Sequence, residues 1–235
     1  MKQILVHVLM IIFVSTAYYQ DFKYIKPKLT DSTKVVKTER NTKTKFERIY
    51  YIDFSKNSEE KKALWSDQDD NDENIAFTYS EICKNIIQKT NKYKTNLPRE
   101  WVKLFKYKGN WILFNDLPKY VLSDSCLITF DMDDPTSSKI VDSKSLEDKY
   151  IFKLHSYNWE NPKKNNTSKL EIKIIDRTRM ITLWRTEFQN QVSYELMVPV
   201  NQISKFPIMV MLETDLMDDE NDIFDKIDLE KLWKN

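Results

Sequence analysis

Glycine is nearly absent: Gly109 is the one glycine in 235 residues. Loops that cradle phosphate on backbone N–H groups need glycine where the backbone approaches the ligand. That scarcity excludes the dinucleotide-binding and P-loop fingerprints and the G-x-S-x-G nucleophile elbow. Histidine is almost as rare. His7 sits in an apolar N-terminal run and leaves His155 alone, so metal sites built on several imidazoles are excluded. Arginine numbers 6 against 31 lysines. Guanidinium forks are the usual readers of bases and phosphates, so nucleic acid is not an expected partner. After the first 20 residues no apolar run could cross a bilayer as a helix.

What is present is a core. Hydrophobic residues make up 41% of the chain and aromatics 13%, enough for a folded domain despite 31% charged residues. Lys2, the apolar run Ile4–Val14 and the small residues of Ser15-Thr16-Ala17 have the layout of a secretory signal peptide over residues 1–17. Cleavage after Ala17 implies a secreted or periplasmic protein with no transmembrane segment left. In an oxidising compartment Cys83 and Cys126 can pair, a link worth about 4 kcal/mol by chain entropy. The alternative is two buried thiols acting as small apolar residues.

Charge alternates in blocks. Residues 21–50 carry nine bases against four acids, and residues 53–81 nine acids against three bases. Residues 84–119 return to nine bases against two acids, and residues 213–235 carry nine acids against three bases. Such blocks make surfaces that attract one another within a molecule, or a basic face that docks on an anionic partner.

Residues 18–45 are polar and Lys/Thr-rich without sustained periodicity and read as a flexible or loosely packed lead-in. Residues 46–97 begin with an alternating strand from Phe46 to Phe54, followed by helical stretches at Glu59–Trp65 and Ser80–Lys89 as a cap. From Pro98 to the C-terminus the texture is that of strands. Val102–Tyr107 and Trp111–Phe114 flank a turn at Lys108-Gly109-Asn110, and Tyr120–Phe130 breaks near Ser123-Asp124-Ser125. Alternating runs follow through Tyr150–Leu154, Leu170–Ile174, Val192–Val198 and Phe206–Leu212, with Met180–Glu187 entered from the turn at Asp176–Arg179. So many apolar-in, polar-out runs predict a mainly β (α+β) fold, an antiparallel barrel or curved sandwich. Asp222–Trp233 has the spacing of a C-terminal amphipathic helix, with Trp233 as a plug.

Four features invite a site. Counting from Asp70, the acidic loop places Asp72, Asn74 and Glu81 at positions 3, 5 and 12 of an EF-hand-like calcium loop. Ile75 occupies position 6, where the sharp turn wants glycine. Calcium is thus the one cofactor the sequence suggests, and a solvated acidic linker is the alternative. Trp111, Trp184 and Tyr194 fall on or near strands and suit an apolar or sugar-like ligand, as core residues also would. Glu187/Glu195 and Asp131/Asp133 are carboxylate pairs of the kind a hydrolase uses, at spacings no better than chance. Asn165-Asn166-Thr167-Ser168 holds overlapping glycosylation sequons.

Gly109-x-Trp111, opening a run of antiparallel strands with a helical segment after them, resembles the G-x-W signature of lipocalin-like secreted β-barrels. That resemblance implies a barrel over residues 98–212, a tryptophan across its closed end and a small apolar ligand inside. The expected function is a non-enzymatic binding protein for a small molecule or a protein partner. The alternatives are a carboxylate-based hydrolase and a calcium-stabilised module.

Overall fold

The computed structural model describes residues 29–41, 46–66, 96–115, 119–130, 136–156, 166–213 and 223–234. Their strands, numbered in chain order, build two sheets. The first holds β1 (Thr33–Asn41), β2 (Phe46–Asp53), β4 (Phe105–Tyr107), β5 (Asn110–Phe114) and β13 (Ile208–Glu213), in the order β1-β2-β13-β5-β4. Only β13 and β5 pair in parallel there. The second comprises β3 (Glu100–Lys103), β6 (Lys119–Leu122), β7 (Cys126–Phe130), β8 (Thr136–Ser145), β9 (Lys149–Ser156), β10 (Asn166–Asp176), β11 (Ile181–Phe188) and β12 (Gln191–Pro199). These eight antiparallel strands close into a barrel, which leaves that sheet without an edge.

The sequence alternation translates directly into the wall. On β9, Phe152 and Leu154 are buried inside and Lys153 is exposed outside. Burial ceases to alternate over Ile181–Trp184 of β11 and Leu196–Pro199 of β12 because both faces are covered there. Trp184 and Met197 point into the barrel, whereas Ile181, Leu183, Leu196 and Val198 pack outward on Tyr51, Leu113, Ile208 and Val210 of the five-stranded sheet. A strand buried on both faces loses its period-two signal. The chain passes between the sheets at Leu104, which is 2% exposed and donates its N–H to the Leu196 carbonyl at 2.7 Å. It passes again through the 3-10 helix Val200–Lys205. The far face of the five-stranded sheet is covered in turn: Phe224 stacks on Phe105 at 4.3 Å and meets Phe114 edge-on at 5.2 Å.

Several expectations are corrected. Thr33–Asn41, read as flexible lead-in, forms β1 in register with β2, although only Val36 among its side chains packs on the core. A strand held mainly by backbone hydrogen bonds on a polar edge leaves little apolar periodicity to read. The C-terminal helix covers Leu229–Lys234 only. Ile223 and Phe224 join the five-stranded sheet instead, and Trp233 lies outside the barrel against Tyr194, plugging nothing. Gly109-x-Trp111 is in the β4–β5 hairpin of the five-stranded sheet, outside the barrel wall. Gly109 has φ +83°, and Asp225 accepts hydrogen bonds from the Lys108 and Gly109 N–H groups at 3.0 and 2.8 Å. A Cβ at Gly109 would meet nothing within 4 Å, so Gly109→Ala should cost about 1 kcal/mol of backbone strain alone, read by urea denaturation.

No helix among the described residues is long and apolar enough to cross a membrane. Residues 1–17, Asp70, Asp72, Asn74, Glu81, Cys83, Asp131 and Asp133 lie outside the described residues. Cys126 is buried at the start of β7 with its Sγ 3.4 Å from the Ser123 hydroxyl. It is the one cysteine among the described residues, which contain no disulfide.

Candidate functional site

The inward-facing positions of the barrel change character along its axis. One half is filled by apolar side chains: Trp101, Leu122, Ile140, Phe152, Leu170, Ile172, Trp184 and Met197 are all buried there. Two residues farther along each strand, toward the end bearing the β11–β12 turn, the inward residue is polar or carries a polar tip. Trp101 gives way to Lys103, Leu122 to Tyr120, Leu127 to Thr129 and Ile140 to Ser138. Leu154 gives way to Ser156, Leu170 to Ser168, Trp184 to Thr186 and Met197 to Glu195. The switch occurs on all eight strands, although on β11 Thr182 is buried below Trp184 and Phe188 follows Thr186 on the same face. An eight-stranded barrel is just wide enough to be filled by its own side chains or to hold one small ligand. Here the filled half forms a floor, and the polar half is a cup above it.

The floor is rigid. Trp101, 0% exposed, meets Trp184 edge-on at 5.5 Å and donates its indole N–H to the Pro98 carbonyl at 2.7 Å. Trp184 meets Tyr120 edge-on at 5.6 Å and donates to the Thr182 hydroxyl, which donates to the Met197 carbonyl. Each buried polar tip thus has a partner, as burial requires. Above the floor the Tyr120 hydroxyl donates to Glu195 Oε2 at 3.0 Å, and Lys103 Nζ lies 3.0 Å from Glu195 Oε1. Lys103 and Glu195 side chains stay 29% and 25% exposed, so the trio is only partly covered. A pair so exposed contributes about 1 kcal/mol at most. Across the cup the Ser138 and Ser156 hydroxyls are 2.6 Å apart. Asn166, next after Ser168 on the inward side of β10, is only 9% exposed, yet its Oδ1 has no hydrogen-bond partner. A buried carbonyl oxygen without a donor costs about 1–3 kcal/mol, and a ligand donor would recover it.

Of the aromatics singled out from sequence, Trp184 alone faces the interior. Trp111 and Tyr194 pack on the outside, Trp111 beneath Lys106 and Tyr194 against Trp233. Glu187 and Glu195 point to opposite sides of the wall, so they cannot act as a carboxylate pair. His155 is on the outer face opposite Thr167 and Lys139. Asn166 points inward and is closed to a glycosyl transferase in the folded chain. Lys103, Tyr120, Ser138 and Ser156 carry no motif, and the sequon that spans Asn166 and Ser168 does not mark them as a binding site. Their signal is a polar residue two positions from a buried one on each strand, which becomes legible only when the strands are in register.

Comparison with protein-family models, curated proteins and solved structures finds no match to this chain.

Proposed function

We propose that the chain is an exported, non-enzymatic binding protein that holds a small amphipathic molecule in the polar half of its barrel, as lipocalin-like barrels hold a ligand. The observation that carries this reading is the simultaneous apolar-to-polar switch on all eight inward faces. A core that served stability alone would stay apolar to the barrel's end, because polar side chains facing inward forgo burial energy of about 25 cal/mol per Å². The aromatic floor of Trp184 and Tyr120 takes the apolar part of the ligand. Lys103, Glu195 and the hydroxyls orient its polar part, and Asn166 Oδ1 accepts a hydrogen bond from it.

A native mass spectrum of the protein purified from its own host tests the reading. The expected result is a chain beginning at Tyr18 with an organic adduct that is lost on denaturation. Thr186→Trp places an indole in the cup between Trp184 and Phe188; it should remove the adduct while leaving the melting temperature within a few degrees. A bare native chain would reject the proposal. So would an adduct that survives in Thr186→Trp.

A further inference from the structure

We propose a second, independent site on the outer wall of the barrel that binds an acidic oligosaccharide. A groove of about 500 Å³ crosses the outside of β8, β9, β10 and β11 and ends at the β11–β12 turn. Its cations are Lys144, Lys153 and Lys169. Lys153 and Lys169 stand directly opposite one another on β9 and β10. Like charges in that position repel and weaken the ladder, so the arrangement costs stability in the empty protein. Neighbouring acids relieve it only in part, Glu171 beside Lys169 and Asp142 opposite Lys153. Glu171 lies 3.4 Å from Lys169 but is already held at 2.7 Å by Lys149 and at 2.6 Å by Arg185. Glu187 is held by Arg185 at 3.0 Å, and Lys144 and Lys153 make no ion pair among the described residues. Asp142, opposite Lys153 across a bulge in β8, is the remaining acid of the groove.

The polar wall points to a sugar. Thr167, Gln189 and Asn190 supply a hydroxyl and two amides beside the lysines, the groups that hydrogen-bond to hydroxyls. Gln189 and Asn190 both have positive φ, 49° and 66°. This two-residue turn normally uses glycine or asparagine, and holding glutamine there is strained. That conformation sets both amides at the groove's end. Lysine, a compact hydrated charge, suits carboxylate and sulfate groups without demanding planar recognition. Among the described residues the groove has no outward aromatic ring on which a base could stack, and its concave surface follows a chain better than a flat bilayer.

The test is calorimetric titration of the full chain with a heparin-derived hexasaccharide, which carries both carboxylate and sulfate. Binding should weaken at least tenfold in the double variant Lys153→Ala/Lys169→Ala and also as salt is raised. The double variant should melt within a few degrees of the parent, since it removes a repulsive pair together with the Lys169–Glu171 contact while Lys149 and Arg185 still hold Glu171. A control removing two exposed lysines elsewhere, Lys34→Ala/Lys56→Ala, should bind within twofold of the parent. No binding by the parent would overturn the proposal, and so would equal weakening in the control, which marks adventitious polyanion association. Tighter binding of a hexathymidylate, or of phosphatidylserine vesicles, lost in Lys153→Ala/Lys169→Ala, would reassign the groove to nucleic acid or membrane and equally overturn it.

Discussion

Trp101→Ala should destabilise the chain by about 3–5 kcal/mol, the largest effect expected of any single side chain. Trp101 is fully buried on β3, one of the two four-residue strands of the barrel, and meets Trp184 edge-on across the floor, which in turn meets Tyr120. Its removal leaves a cavity beneath the cup and takes away the indole donor of the Pro98 carbonyl. Urea denaturation checks the value, and for a chain of this size the melting temperature should fall by roughly 10 °C. Trp233→Ala is the contrast: that indole lies on the outside and should cost about 1 kcal/mol. A loss below 1.5 kcal/mol for Trp101→Ala would mean that the barrel does not depend on this floor. The cup would then lose its rigid base.

Glu171→Ala should cost about 3 kcal/mol, and the effect should vanish in acid. Glu171, 5% exposed on the outer face of β10, gathers Lys149, Arg185 and Lys169. Burial pushes its carboxyl up, but the hydrogen bond and charge of Lys149, the charge of Lys169 and the Arg185 hydrogen bond outweigh it and hold it below the ordinary value of 4.5. The sign follows. A carboxyl lowered in the folded state adds stability in full above its unfolded value, and that stability drains away as the pH falls through the folded one. Asp53 acts in the same direction: burial raises it, but the Ser55 N–H and the hydroxyls of Ser55, Ser58 and Ser32 more than offset that. Stability should therefore be level near neutrality and fall below about pH 4.5. Glu171→Gln, which cannot ionise, should show a shallower fall. Parallel acid profiles for parent and Glu171→Gln would remove this cluster as the cause. Lys149 also stands 4.7 Å over the Trp233 ring, so losing Glu171 should loosen the C-terminal helix first, visible as faster amide exchange over Leu229–Lys234.

Much of the barrel was legible because a wall with a dry inside and a wet outside imposes period two. Phe152/Leu154 against Lys153, and Leu170/Ile172 against Glu171, are that physics written in residue order. Where the physics changed, the reading failed. β1 gave little signal because its side chains bury almost nothing, and β8 none because Ile140 is its one buried residue in Thr136–Ser145. Leu183 and Trp184 are consecutive apolar residues on opposite faces of β11 because the second sheet covers its outer face.

The candidate site divides the same way. Composition alone dismissed phosphate-cradling loops, since one glycine cannot build them, and the aromatic content pointed to a ligand or a packed core. Trp184 proved to be part of the floor. Trp111 and Tyr194 had equal claims in the sequence, yet both pack outside. A strand shows which residues share a face but not which face turns inward; that depends on pairing partners far along the chain.

The chain by itself therefore determined its class: strands, turns and the near-absence of glycine-dependent chemistry, because these are local consequences of residue type. Only the tertiary structure decided that eight of the strands close on one another and that the other five form a separate sheet against them. Closure and register bring Lys103, Tyr120 and Glu195 into one cup and set Lys153 against Lys169 outside it. Those juxtapositions come from hydrogen-bonded pairing between distant segments, whose energy resides in the partner as much as in the residue.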